Sequence, residues 1–229
     1  MTIRHAIILA AGRGVRMRPL TDATPKPLLR AGGKRLIEHH LEKLAAAGVT
    51  DVVVNISHLA AQFEPALGDG SRWNLQIHYS DEGPEPLETG GGIQRALPLL
   101  GAAPFIAVSA DVVSDYDYAR LPQEPAGLAH LVMVPNPPFH PRGDYVYVGD
   151  DAGNGRLHVD GPGERLTFAN IAVYRPGLVA GEPGGCFKLA PLFDRAIRAG
   201  QVTAERHAGS WHNIGTPAQL AELDQSGML

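Results

Sequence analysis

The stretch from Ala6 to Pro27, AIILAAGRGVRMRPLTDATPKP, constrains the chain more than any other. It opens with an apolar run, His5 to Ala11, that carries β-branched Ile7 and Ile8 and stops at a glycine loop, which is how a strand buried on both faces reads. Such a loop presents backbone N–H groups at the carboxyl end of a strand, where open α/β sheets bind their ligands. A sheet of the doubly wound type is therefore expected to follow.

The rest of the chain carries that pattern on. Leu36, Ile37, Leu41 and Leu44 fall on one helical face between Arg35 and Ala47, with Gly48 placed as a C-cap. Asp51 to Ile56 reads as a Val-rich strand, Leu59 to Leu67 as a short helix, and Asn74 to Tyr79 as a third strand, the alternation of βαβ units. Gly83 to Gly92 reads as a loop whose three successive glycines let a backbone pass close to a ligand, followed by a short helix from Ile93 to Leu97. Pro104 to Ala110 is a further buried strand that ends at Asp111. In the second half, strands at Leu131 to Val134, Tyr145 to Val148 and Leu166 to Tyr174 lack intervening helices, so a mixed or antiparallel extension is expected. A helix from Ala190 to Ala199, a short strand from Gly209 to Ile214 and a closing helix from Pro217 to Leu223, capped by Thr216, complete the expected elements.

Composition narrows the function. The 229 residues are 44% hydrophobic, enough for one α/β domain spanning residues 1–229. Lys and Arg number 20 against 24 Asp and Glu, with no basic block, so small-molecule work is favoured and no nucleic acid is expected as partner. The single cysteine, Cys186, excludes an internal disulfide. No apolar run is long enough for a membrane span, and a cytoplasmic location is expected. The ten histidines are scattered, and neither His39 with His40 nor His207 with His212 has a metal-ligand spacing. No hexapeptide repeat is present, so no β-helix domain is expected, and a monomer or small homo-oligomer fits.

The loop Ala11-Gly12-Arg13-Gly14 is neither a Walker A sequence nor a dinucleotide fingerprint. Its neighbours give it a chemistry. Backbone N–H groups can cradle a triphosphate, Arg16 can grip outer phosphates with a bidentate fork, and Lys26, fixed between two prolines, can place an ammonium on a reacting phosphoryl group. Arginine supplies most of the basic residues; lysine occurs only at 26, 34, 43 and 188, which adds weight to Lys26 and Lys188.

The run Leu9 to Leu29, LAAGRGVRMRPLTDATPKPLL, resembles the signature of the sugar-phosphate nucleotidyltransferases. The resemblance continues through LETGGG (Leu87 to Gly92), VSAD (Val108 to Asp111) and WHNIGTP (Trp211 to Pro217), so it covers nearly the whole chain. It implies a Rossmann-like fold with a mixed, mainly parallel central sheet flanked by helices. The nucleotide would lie on the half up to about residue 125 and the sugar on the half from about 126 to 229. It further implies that Gly12, Gly14 and Arg16 bind the triphosphate, that Lys26 meets the phosphoryl centre, and that Asp111 is the principal Mg2+ ligand. Nucleotidyl transfer needs no general base, because the sugar phosphate oxygen is already an anion; positioning and charge neutralisation suffice.

One position departs from the family pattern. The closing motif commonly reads Trp-x-Asp-x-Gly-Thr, with the Asp as second metal ligand, and Asn213 stands in that place. Its amide oxygen can coordinate Mg2+ without adding charge, which predicts weaker metal affinity in the absence of nucleotide; a capping role before Gly215 is the plain alternative. Glu82 is the candidate acceptor for the N3–H of uracil, with the loop Leu87 to Gly92, Gly90 included, packing on the base, which points to UTP while leaving guanine and thymine open. For the sugar, Asp144, Asn170 and Lys188 are the candidates, and Lys188 or Arg142 would suit an amino-sugar 1-phosphate that carries a carboxylate. Trp73, Trp211 and Met17 read as packing residues. The alternatives are a guanylyl- or thymidylyltransferase, or a weakly catalytic regulator that binds nucleotide sugars.

Overall fold

Apolar side chains on both faces of successive strands decide the architecture, since such strands must be covered by helices on each side. In the computed structural model, which describes residues 2–150 and 154–225, the N-terminal half runs β1 (His5–Leu9), α1 (Leu20–Ala23), a two-strand hairpin of β2 (Arg30–Ala31) and β3 (Lys34–Arg35), α2 (Leu36–Ala46), β4 (Asp51–Ile56), α3 (Phe63–Leu67), β5 (Gln76–Asp81), α4 (Glu88–Leu100), β6 (Phe105–Ser109) and β7 (Val112–Ser114). The second half adds β8 (Ala129–Val134), β9 (Tyr145–Gly149), β10 (Asn154–His158), β11 (Arg165–Tyr174), α5 (Ala190–Arg198), β12 (Val202–Arg206), β13 (Trp211–Asn213) and α6 (Pro217–Gln225).

Nine strands form one sheet in the order β5-β4-β1-β6-β11-β8-β12-β10-β9. Alternate residues face opposite cores. Ala6, Ile8, Val52, Val54, Ile106 and Val108 pack on one side with Ile37, Leu41 and Leu44 of α2. Ile7, Val53, Phe105 and Ala107 pack on the other with Ile93, Ala96 and Leu100 of α4 and Leu192, Phe193 and Ala196 of α5. A third cluster joins Met17, Leu36, Val113 and Ile214 to Leu220 and Leu223 of α6, so the closing helix lies under the glycine loop.

The sheet is mixed, as expected. The pairs β5–β4, β4–β1 and β1–β6 are parallel, as is β8–β12, whereas β6–β11, β11–β8, β12–β10 and β10–β9 are antiparallel. Parallel pairing thus prevails in the first half; β11 also pairs antiparallel with β9, so antiparallel pairs outnumber parallel ones by five to four over the whole sheet. Five strands lack a clear signal in the sequence: β2, β3 and β7 are too short, β10 is largely polar, and β12 mixes Glu205 and Arg206 into its run.

A larger difference lies at Leu87 to Gly92. The stretch is helical from Glu88 rather than a loop to Gly92. Three glycines in a first turn cost helix propensity, and tertiary packing requires them: a Cβ at Gly90 would overlap the Phe187 ring, at Gly91 the Gly185 carbonyl, and at Gly92 the Glu82 carboxylate. Their close approach is to protein.

Candidate active site

At the carboxyl ends of the parallel strands, Leu9 is in register with Asn55 on one side and Ser109 on the other. Just beyond, the glycine loop borders a cavity of about 470 Å3 lined by Ala11, Gly12, Gly14, Arg16, Lys26, Asn55, Glu82 and Asp111, among others. Gly14 takes φ +60°, and a Cβ there would press on Thr21 and Lys26, so the tight turn requires glycine. The hydroxyl of Thr21 donates to the Gly14 carbonyl at 2.9 Å and closes the turn. Gly12 differs: a Cβ there would meet nothing within 4 Å, so its value is the space it leaves in the cavity.

Lys26 lies in a single helical turn between Pro25 and Pro27 and is buried. Its Nζ donates to Asp111 Oδ2 at 2.6 Å, an ion pair that joins the N-terminal motif to the end of β6. The closing motif arrives from the far end of the chain. Pairing of β13 with β7 sets Asn213 opposite Val112, and the Ile214 N–H donates to the Asp111 carbonyl at 2.8 Å. Gly215 lets Arg16 approach, since a Cβ there would stand 3.2 Å from the guanidinium carbon. Arg16, Lys26, Asp111 and Asn213 are thereby gathered although they span the whole sequence.

Asn213 Oδ1 is buried and accepts no hydrogen bond from the described residues. A buried amide oxygen without a donor is costly, and a hard cation is the partner that oxygen ligands such as Asn213 and Asp111 suit. Among the described residues no group of three or more His, Cys, Asp or Glu could hold a metal, so a cation here would need ligand oxygens as well.

Glu82 is more firmly built in than a base-reading acid need be. It is buried; Oε1 accepts from Asn55 Nδ2 at 2.6 Å and Oε2 from the Leu87 N–H at 2.7 Å, while Asn55 Oδ1 accepts from the Ala10 N–H at 2.6 Å. The chain of bonds ties the start of the glycine loop to the loop before α4. The carboxylate borders the nucleotide-sized cavity and can take a further donor, so positioning the loop and reading a base are compatible. Gly90, by contrast, is buried away from the cavity, and its N–H donates to the Phe187 carbonyl at 2.9 Å. Asn55 escaped the sequence reading; a lone Asn in a Val-rich strand was its signal.

A second cavity of about 410 Å3 adjoins the first, with Leu9, Arg16, Thr89 and Ser109 lining both. Asp144, Asn170, Asn213 and aromatic side chains from Phe139, Tyr145, Phe168 and Trp211 line it. Asn170 sits at φ +56° where the register of β11 slips between Phe168 and Ala172, a local strain that Asn tolerates and that aims the residue into the cavity wall. Asp144 Oδ2 accepts from the Phe168 N–H at 2.8 Å and its Oδ1 lies 3.0 Å from His140 Nε2. Lys188 and Arg142 are exposed and line neither cavity. His140, which does line the second, was not among the sequence candidates.

Burial, with the Lys43 charge, lowers the pKa of His40 on α2 to about 4, against the opposing pull of Asp111; the ring is neutral and meets the Tyr118 hydroxyl at 2.8 Å. Burial likewise pushes the Tyr145 and Tyr174 phenols up, so both line the second cavity as neutral groups. Arg16 and Lys26 beside the glycine loop, with the Asp111 carboxylate paired to Lys26, describe a site suited to moving an anionic group between anions.

Comparison with known proteins agrees with this geometry. The Nucleotidyl transferase family model matches residues 5–156. The chain is 47% identical, over 95% of its own length and 95% of the relative's, to the N-acetylmuramate alpha-1-phosphate uridylyltransferase of Neisseria meningitidis. It is 35% identical to the protein of the same name from Caulobacter vibrioides, over 94% of each chain. A solved Bacillus anthracis structure assigned as a glucose-1-phosphate thymidylyltransferase superposes with a TM-score of 0.82 at 18% identity, covering 97% of this chain and 94% of that one, which concerns the fold alone.

Proposed function

Because the chain belongs to the nucleotidyl transferase family, we propose that it transfers a uridylyl group from UTP to N-acetylmuramate α-1-phosphate, giving UDP-N-acetylmuramate and pyrophosphate. The observation that carries this reading is the pair of cavities meeting at Arg16, one walled by the glycine loop and the other by Asp144, Asn170 and aromatic rings. The names of the two relatives that match nearly the whole chain support the choice of substrates.

In this reading the triphosphate lies on the backbone of Ala11 to Gly14, with the nucleotide on the half up to about residue 125. The sugar phosphate enters from the half beyond. Its oxygen, already anionic, attacks the α-phosphorus as the bond to the β-phosphate oxygen breaks, and the electron pair leaves with pyrophosphate. Arg16 orients the phosphates where the cavities join, and Lys26 places its ammonium against the charge that builds at phosphorus. In the free protein Asp111 holds Lys26 at 2.6 Å and so aims it. Glu82, fixed by Asn55 and the Leu87 N–H, offers its carboxylate to the uracil N3–H.

The family generally uses a divalent metal. Asp111 and the partnerless Asn213 oxygen would hold Mg2+, which when bound supplies neutralisation of phosphate charge. The test is pyrophosphate release from UTP, GTP, dTTP and CTP paired with N-acetylmuramate, N-acetylglucosamine and mannose 1-phosphates. UTP with N-acetylmuramate 1-phosphate should give the highest kcat/KM. A preference for GTP or dTTP, or nucleotide binding without release from any pair, would overturn the reading.

A further inference from the structure

N-acetylmuramate differs from N-acetylglucosamine by a lactyl ether, a methyl group and a carboxylate on one carbon, and a buried carboxylate calls for a charged donor. Resting on the functional reading above, we propose that His140 is the residue that recognises this carboxylate.

The wall of the second cavity leaves few choices. Its ionisable members are Arg16, His140 and Asp144, besides Tyr145 and Tyr174, whose buried phenols stay neutral. Arg16 stands at the junction against Gly215, where the two phosphate groups converge. Lys188 and Arg142, the lysine and arginine nearest in sequence to the sugar candidates, line neither cavity. His140 is the remaining ionisable side chain that can present a nitrogen donor to a carboxylate.

The loop that carries His140, between β8 and β9, is braced. Asn136 Nδ2 donates to the Arg165 carbonyl at 2.9 Å, the Thr167 hydroxyl donates to Asn136 Oδ1 at 2.9 Å, and the His140 N–H donates to the Pro137 carbonyl at 2.9 Å. The ring is oriented as well. Asp144 Oδ1 accepts from His140 Nε2 at 3.0 Å, Asp144 Oδ2 is held by the Phe168 N–H at 2.8 Å, and the Asp144 carbonyl accepts from Arg165 at 2.5 Å. With Nε2 committed to Asp144, Nδ1 has no hydrogen-bond partner among the described residues and is the nitrogen left for substrate. In the imidazolium form Nδ1–H is a charged donor; in the neutral form Nδ1 is an acceptor that repels a carboxylate. Phe139, next in the chain and 56% exposed, lines the same cavity and offers an apolar surface to the lactyl methyl. Asp144 is then a positioning residue, acting on the sugar through His140.

The experiment measures kcat/KM for N-acetylmuramate 1-phosphate and N-acetylglucosamine 1-phosphate at saturating UTP in wild type, His140→Gln, His140→Arg and Lys188→Ala, with thermal unfolding as a check that each variant folds. Loss of a charge-assisted bond should lower the ratio of the two values roughly ten- to a hundredfold in His140→Gln. His140→Arg should restore most of the ratio, and Lys188→Ala should leave it unchanged. An unchanged ratio in folded His140→Gln, or an equal fall in Lys188→Ala, overturns the assignment. No turnover of either sugar by wild type would sink the functional reading itself, and the assignment with it.

Discussion

Gly92→Ala provides a test in which the sign of the effect is informative. At an exposed helical site this substitution stabilises by about 1 kcal/mol, because alanine loses less backbone entropy. Here a Cβ would overlap Glu82 Oε1 and stand 2.8 Å from Asn55 Nδ2, and Glu82 and Asn55 are bonded to each other at 2.6 Å and buried. Forcing them apart leaves a buried amide donor and a carboxylate oxygen unpaired, at a cost of about 2–4 kcal/mol. The net is a loss of about 1–3 kcal/mol, a fall in Tm of roughly 2–12 °C for a chain of this length. Asn55 also holds the Ala10 N–H at 2.6 Å, so the glycine loop should loosen and KM for UTP rise. Differential scanning calorimetry and initial-rate kinetics read both effects. A raised Tm would refute the reasoning, since it would mean that the glycine does not serve the Glu82–Asn55 pair.

Lys26→Met removes the ammonium aimed by Asp111 and should lower kcat roughly 100- to 1000-fold; steady-state rates within tenfold of wild type would exclude a role at phosphorus. Asn213→Asp adds a carboxylate beside Asp111 and should tighten Mn2+ binding in the absence of nucleotide, read by electron paramagnetic resonance. Unchanged affinity would remove Asn213 from the metal site. His40 is neutral in the fold down to about pH 4 but titrates near 6.5 when unfolded. Between those values only the unfolded chain takes up the proton, so stability that is full above pH 6.5 is lost as pH falls toward 4, about 3 kcal/mol in all. His40→Gln should flatten the decline of Tm between about pH 7 and pH 4.5, and parallel declines in the two proteins would count against it.

Much of this was legible in the sequence where a single local pattern carries the physics. The strand of Asp51–Ile56 reads directly, because three successive valines and Ile56 give it strong β preference with no competing helical period. The helix of Leu36–Ala46 reads to within a residue, because its apolar face repeats every three to four positions. Gly14 and Lys26 read as a phosphate site, because a turn and two prolines are local constraints on the backbone. The three glycines at 90–92 did not read correctly, because their need arises from Phe187, Gly185 and Glu82, and a local rule sees only a helix breaker. Lys188 and His140 show the same limit from the other side: both are basic side-chain types in the second half of the chain, and only the course of the loops brings one to the cavity and leaves the other outside.

The sequence by itself determined the parts of this protein: a buried parallel strand ending in a glycine loop, a fixed lysine, and a carboxylate at the end of another central strand. These follow from side-chain periodicity and backbone restriction, which act over a few residues. Tertiary structure alone decided which parts meet. Lys26 reaches Asp111 across the sheet, β13 docks on β7 to set Asn213 opposite Val112, and Asp144 meets His140 at the wall of the second cavity. Those contacts depend on strand order and on where close packing admits only a glycine, and the energy that sets them belongs to the whole core.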